Sequence, residues 1–410
     1  MKKILLALVL ALVLFPDMAA AQYNHNSVGV IGADGKPFGV ANTDGKPQVV
    51  VDSSALPTDA ATATNQTDGS QASQLVDENG TPYGVKHLDN KPRVVSSPYL
   101  YEIGKGNIPG HKAIHKFGYN GDVDTGGAGY EVVWSAGGTY PWQTAAEQMQ
   151  VSAGANDTGA LRESGTLTAG TADLIVVDEA ATFQTNLVAA GDLFINDTQS
   201  QHAFVASVDS ETQLTLFPLT DDIFTNVVTD SYRIATETST GAGVIEIRGL
   251  DANYDEIMEH VILNGAVDVA TTQSFLRVNR AYVVLAGSAG HNVAAVLIEN
   301  NASAVVWAEI RAAISQTEMA IWTVPDGFDM FMVSFFVAES NNARQKVAVF
   351  ARPEGGVFRP VSIPVSVVAS SAAFEYRLPV VFGPRTDIEI RAIPDASNGK
   401  VDAAWEAWYE

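Results

Sequence analysis

Past its first 21 residues the chain alternates short apolar runs with turn residues, and no stretch keeps a helical period. Gly243 to Gly249 (GVIEIRG) reads as a strand, Asp251 to Asp255 as a turn, and the run to Leu263 as the returning strand of a hairpin, with Asn264-Gly265 as the next turn. Tyr130–Trp134 and Ala146–Val151 read as strands around a Gly137-Gly138 turn, and Phe275–Ala286, Ala294–Glu299 and Val305–Ile310 continue the series. Beyond Ala302 the pattern is densest, predicting strands at Met319–Val324, Phe331–Val337, Lys346–Ala351, Val357–Val367, Phe374–Phe382, Asp387–Ile393 and Ala403–Tyr409. Asp387-Ile388-Glu389-Ile390-Arg391 alternates with period two, the mark of a strand with one buried face. The expected fold class is all-β and multi-domain, with β-sandwich or jelly-roll-like domains and an inserted small β-barrel module.

Domain boundaries follow from breaks in this pattern. Lys2 and Lys3, the 12-residue apolar run Ile4–Phe15 and the small residues ending in Ala19-Ala20-Ala21 form a signal-peptide pattern, with residues 1–21 removed before Gln22. That apolar run is too short for a membrane span of about 20 residues, and no later segment approaches one. Residues 22–98 form an N-terminal extension with two related units. Ile31–Val50 and Val76–Val95 share nine of 20 positions at a period of 45. Their Asp-Gly and Asn-Gly pairs, each followed by x-Pro, predict two hairpins of the DGKP type. The polar stretch between them reads as a linker. Residues 99–160 and 237–301 are expected to form one sandwich split by an insertion at 161–236, flanked by Thr158-Gly159-Ala160 and Thr240-Gly241-Ala242. Residues 302–410 form the C-terminal jelly-roll-like sandwich.

Charge narrows the partners. With 47 acidic and 24 basic residues the net charge is −23, which repels nucleic-acid phosphates and anionic lipid. Nucleic-acid binding is therefore not expected. The chain has no cysteine, which excludes disulfides, thiolate metal ligands and cysteine nucleophiles.

Three groups of residues bear on chemistry. His111 and His115 stand four apart, a metal-binding spacing on a helix, but Gly110 precedes them and Lys112 and Lys116 oppose a cation. Asn120, Asp122, Asp124 and Glu131 resemble a calcium loop, in which alternate oxygens converge on a hard cation. The sixth position holds Thr125 instead of glycine, which favours a polar surface turn. Asp221-Asp222 and Asp255-Glu256 read as solvated turn charge, since sequence neighbours on a turn do not face a sugar from both sides. No P-loop, G-x-S-x-G, H-E-x-x-H or G-x-G-x-x-G pattern occurs. The expectation is a non-enzymatic chain with no catalytic residue, no cofactor and no dedicated metal site.

The run Tyr99–Trp142 resembles the opening of virion structural proteins of tailed, marine-type bacteriophages. The resemblance continues in Val244–Gly265, Ser274–Ser288, Gln316–Ala338, Arg352–Val361 and Thr386–Ile393. It implies a head decoration, head fibre or tail-associated component whose partners are other virion proteins, with a host-surface glycan or receptor as a further ligand. The paired DGKP units, which have too little core of their own, and edge strands that need cover predict a homotrimer of its own subunits. The resemblance also implies a family chain that runs directly from the equivalent of Gly159 to that of Gly243, making 161–236 an added module. Virions of such phages assemble in the cytoplasm, whereas the signal pattern predicts export. Both a virion component and a secreted bacterial surface or adhesin-like β-protein sharing these domains therefore stand.

Overall fold

A computed structural model of the chain describes residues 75–76, 82–83, 99–124, 129–217, 224–395 and 398–410. The chain divides into two units, Met1–Val95 and Ser96–Glu410. In the first, strand β1 (Leu75–Val76) pairs antiparallel with β2 (Pro82–Tyr83), matching Leu75 with Tyr83 and Val76 with Pro82. The signal segment, the first repeat, the linker and most of the second repeat lie outside the described residues.

The second unit is all-β among its described residues apart from one six-residue helix, α1 (Tyr99–Gly104). No helix there is long and apolar enough to cross a membrane. Its C-terminal sandwich packs two sheets face to face. One has the order β23 (Ser371–Phe382), β19 (Met330–Glu339), β25 (Gly399–Tyr409), β3 (Lys112–Val123). The other runs β18 (Ile321–Thr323), β24 (Asp387–Pro394), β20 (Gln345–Arg352), β21 (Arg359–Pro360), with β22 (Val365–Val367) on β20 and β4 (Glu131–Val132) on β24. Val347, Val349, Ile388, Ile390, Val401 and Trp405 point into the core by simple alternation. β19 slips phase: Met330 and Met332 face the core, then Phe335 and Val337, because its register shifts between Met332 and Ser334. A bulge of this kind inserts one residue and flips the side chains that follow. The pairing of β3 with β25 and β4 with β24 places residues 112–123 and 131–132 in this sandwich, where the sequence pattern groups them with the split one.

The split sandwich joins a sheet of β13 (Glu256–Ile262), β12 (Ala242–Leu250) and β15 (Arg277–Ala286) to one of β14 (Val269–Phe275), β5 (Glu147–Ser152), β16 (Val296–Glu299) and β17 (Val306–Ile310). Met149, Ile245, Ile247, Phe275, Ile298 and Trp307 share its core. β17 follows residue 301 and belongs here, not to the C-terminal sandwich.

The described residues of the 161–236 segment build a sheet of order β6 (Gly159–Thr166), β11 (Ser231–Glu237), β8 (Leu193–Asn196), β9 (Gln201–Val208), β10 (Gln213–Phe217), β7 (Ile175–Val177). Its end strands β6 and β7 do not pair, so the expected barrel is instead an open sheet. Phe183, Phe194, Leu214 and Tyr232 fill a core of its own. β8 is buried on both faces: Phe194 faces that core, while Leu193 and Ile195 pack on Val244 and Leu285 of the split sandwich. The chain enters and leaves through paired strands, ending at Gly159 opposite Glu237. Buried Asp157 closes the junction, its carboxylate accepting the amides of Ala242 (2.8 Å), Val293 (2.7 Å) and Ala294 (2.8 Å). Glycine is required at 241, where a Cβ would stand 2.2 Å from Asp157 Oδ1.

β24 carries the seam between the two sandwiches. The sequence predicts polar residues facing water on its second face, yet Asp387 and Glu389 are both buried there. Asp387 accepts Arg277 Nε of β15 at 2.9 Å, Arg352 Nε at 3.1 Å and the Thr323 hydroxyl at 2.6 Å. Glu389 accepts the Trp142 indole N–H at 3.0 Å and pairs with Arg391. Alternation alone does not reveal this, because it distinguishes the two faces of a strand without saying what covers the second. Lys116 of β3 is buried at the same seam, donates to the Asn279 carbonyl and lies 5.8 Å from the Trp322 ring centre. Burial, with the Arg280 charge adding to it, holds its ammonium pKa well below the usual lysine range.

Two outcomes follow. Joining Ala160 directly to Ala242 leaves a soluble protein with a single cooperative melt, less stable by roughly 3 kcal/mol, the scale of uncovering Val244 and Leu285; loss of the cooperative transition contradicts this. For Lys116, whose folded pKa is depressed, the native state holds fewer protons than the unfolded chain between that pKa and about 10.4, so its cost is greatest at lower pH and disappears above 10.4. Lys116→Met is therefore more stable than the parent at pH 7, by about 1–4 kcal/mol. Denaturant melts show that gain shrinking towards pH 10; a less stable Met variant at pH 7 refutes the reading.

Candidate functional site

The densest polar cluster forms where the 161–236 sheet meets the split sandwich. Alternation along β12 sends Ile245 and Ile247 into the sandwich core and Glu246 to the opposite face. The register sets His260 of β13 and Tyr282 of β15 directly beside Glu246, one on each side. His202 arrives from β9 across the seam. It is paired with Ile195, which is anchored against Val244, so the packing of the apolar contact positions the imidazole. Glu246 is fully buried, His260 nearly so, and the His202 side chain is 13% exposed at the rim.

Within this cluster His260 Nε2 lies 3.0 Å from His202 Nδ1, Glu246 Oε2 lies 3.1 Å from His260 Nε2, and 3.4 Å separates it from His202 Nδ1. These are ion-pair distances, but neither imidazole is aligned to donate a hydrogen bond to Oε2. The other oxygen, Oε1, accepts the Tyr282 hydroxyl at 2.5 Å and pairs with Arg248, whose guanidinium also donates to Tyr282 Oη at 2.7 Å. Burial disfavours the Glu246 anion, but His202, His260, the Arg248 charge and Tyr282 outweigh it and hold the carboxyl well below the usual carboxylate range. Burial pushes the His260 imidazole below its ordinary value, against the pull of Glu246. Tyr282 is pushed up, by burial first and by Glu246 next.

A cleft of about 380 Å³ opens beside His260, walled by Asp197 and Arg233 from one side and by Met258, Glu259 and Gln273 from the other. Arg233 joins the walls: it pairs with Asp197 at 2.7 Å and donates to the His260 carbonyl at 3.0 Å. Glu259 is held by the amides of Thr272 (2.7 Å) and Gln273 (2.8 Å). Two imidazole nitrogens and a carboxylate oxygen converging beside a cleft make a ligand set for a cation.

The residues singled out from sequence lie elsewhere. Asn120, Asp122, Asp124 and Glu131 come together at the end of β3 and on β4, around a second, shallower cleft. Glu131 accepts the Asp124 amide at 3.0 Å, the Gly138 amide at 3.2 Å and the Asn120 carboxamide at 3.2 Å, while Asp122 accepts Asn398 at 2.9 Å. The Glu131 bonds join the end of β3 to β4 and to Gly138; Thr125 to Ala128 lie outside the described residues. His115 lies on β3 and His111 just before it, so their spacing of four spans about 13 Å of extended chain. His111 pairs with Glu410, and His115 lies 3.6 Å from Glu406. Glu256 accepts the Tyr409 hydroxyl at 2.5 Å and pairs with Lys112, and Asp221-Asp222 fall outside the described residues. Half of the seam cluster was legible: a hairpin turning at Asp251–Asp255 sets Glu246 opposite His260. His202 carries no such signal, because its approach depends on how the inserted sheet docks.

No family model and no curated protein matches the chain. Among solved structures, the chain is similar to one in "Structure of infectious bursal disease virus Gt strain", at 6% identity and a TM-score of 0.16, over 76% of this chain and 77% of that one. A chain in the structure of the Gx strain of the same virus is similar at 8% identity and a TM-score of 0.14, over 66% of this chain and 78% of that one. Likeness at this level carries no argument about fold or function.

Proposed function

We propose that the chain is a non-enzymatic structural and binding component of a phage particle, a capsid decoration, head fibre or tail-associated attachment protein, that assembles through its own subunits. The observation supporting assembly is the edge of the C-terminal sandwich. β23 is the end strand of its sheet, 12 residues long, and seven of those residues are exposed. It shows Leu378 (83% exposed), Val381 (56%) and Phe374 to solvent. The neighbouring segment around β21 and β22 adds Ile363 (87% exposed), Val357 and Val361. Glu375, Arg377, Pro379 and a break in register with β19 limit backbone pairing along this edge, so what it offers a second copy is its exposed apolar side chains. The phage assignment rests on the sequence resemblance, whose motifs Gln316–Ala338, Arg352–Val361 and Thr386–Ile393 lie in or beside this sandwich. A chain with net charge −23 associates with like copies only where apolar contact outweighs their repulsion, which this edge supplies.

Light scattering of the full chain at micromolar concentration is expected to give a trimer, and Leu378→Glu combined with Val381→Glu a monomer. A monomeric parent overturns the assembly reading. Mass spectrometry of purified phage particles from a host carrying the gene finds the chain in multiple copies per particle. Its presence in the culture medium and absence from particles favours instead the secreted bacterial surface protein.

A further inference from the structure

We propose that His202, Glu246 and His260 bind a divalent transition-metal ion, Zn2+ by the chemistry of the set, and that the ion clips the inserted sheet to the sandwich that hosts it. The geometry comes first. Ligands at about 2.05 Å around a tetrahedral ion stand about 3.3 Å apart, and the three donor atoms here are separated by 3.0, 3.1 and 3.4 Å. Their spacing matches three corners of such a site. Among the described residues, these three are the group of His, Asp and Glu side chains whose ligand atoms converge so closely.

The donors themselves call for a cation. Glu246 Oε2 is buried and receives no aligned hydrogen bond. Each neutral imidazole presents one lone-pair nitrogen, so a single proton shared between His202 Nδ1 and His260 Nε2 satisfies that pair and leaves Oε2 unanswered. One metal ion satisfies all three. Two imidazoles with one carboxylate suit zinc and its borderline neighbours, whereas Ca2+ and Mg2+ take sets of oxygens. The supporting contacts are also in place: Tyr282 and Arg248 hold Oε1, which fixes the carboxylate to present Oε2 alone. Arg248 and Arg233 are charges that oppose a cation, but Arg248 is paired with Oε1 and its side chain is 52% exposed, where solvent screens it, and Arg233 is paired with Asp197.

The ligands come from both sides of the seam. Glu246 and His260 belong to the host hairpin and His202 to the inserted sheet. An ion shared between them adds its binding free energy to the docking otherwise provided by Leu193, Ile195, Val244 and Leu285.

The test uses the full chain stripped with chelator. Calorimetric titration with ZnCl2 is expected to show one equivalent bound, with a melting temperature several degrees higher at saturation and no shift with MgCl2 or CaCl2. Co2+ in place of zinc is expected to give the intense visible absorption of a tetrahedral site. His202→Ala, at the exposed rim, is expected to keep its fold by circular dichroism and to weaken zinc binding at least about tenfold. Glu246→Gln, which keeps the side-chain volume, is a second variant with the same expectation. Less than a tenth of an equivalent bound, a six-coordinate cobalt spectrum, or unchanged affinity in folded His202→Ala each overturns the proposal.

Discussion

The carboxylate of Asp387 holds the second unit together. It is buried on the outer face of β24, where the next layer is the other sandwich instead of water. A carboxylate taken out of water keeps its charge only if cations and hydrogen-bond donors replace the lost hydration, and that replacement comes from both sides. Arg277 reaches it from β15 of the split sandwich, while Arg352 and Thr323 reach it from its own sheet. The arrangement is sensitive to position: sliding one sandwich against the other strands Arg277 as a buried charge without its carboxylate, while Asp387 keeps only Arg352 and Thr323. The same constraint recurs on a smaller scale. Asp157 is held by amides across the junction of the interrupted strand. Glu246 is met by groups from both the host hairpin and the inserted sheet.

Strand by strand, much of this was readable in the sequence. Alternation located β12, β13, β19, β20 and β24 to within a few residues, and the hairpin turning at Asp251–Asp255 is present as β12 paired with β13. What failed to show was the partner of each second face. Glu389 reads as a solvent-facing residue in Asp387–Arg391 because a period of two is the same whether water or another sheet lies above it. Long-range pairing was equally silent. β3 joins β25 across nearly three hundred residues of chain, and no local pattern announces such a match. The seam cluster divides the same way, with Glu246 and His260 paired by a local hairpin and His202 delivered by docking. The calcium-like residues Asn120, Asp122, Asp124 and Glu131 stand around one shallow cleft, where Glu131 accepts the Asp124 and Gly138 amides.

Taken with the apolar edge at β23, these seams give the proposed role a physical basis. A body whose sandwiches and inserted sheet are fixed by buried charges presents one orientation to its partners, which limits the ordering cost of assembly. Its two most exposed large apolar side chains, Ile363 and Leu378, lie on this edge strand and the segment that precedes it. That distribution suits a component that is added to a larger structure as a preformed piece.

The claim that the Asp387 bridge unites the two sandwiches is tested most directly by a double-mutant cycle on Arg277 and Asp387, read by denaturant unfolding. The account predicts one cooperative transition for the parent, a loss of about 3–5 kcal/mol for Asp387→Ala, and a coupling between the two substitutions of at least about 1 kcal/mol. Additive effects, or a parent whose two sandwiches unfold in separate steps, contradict it.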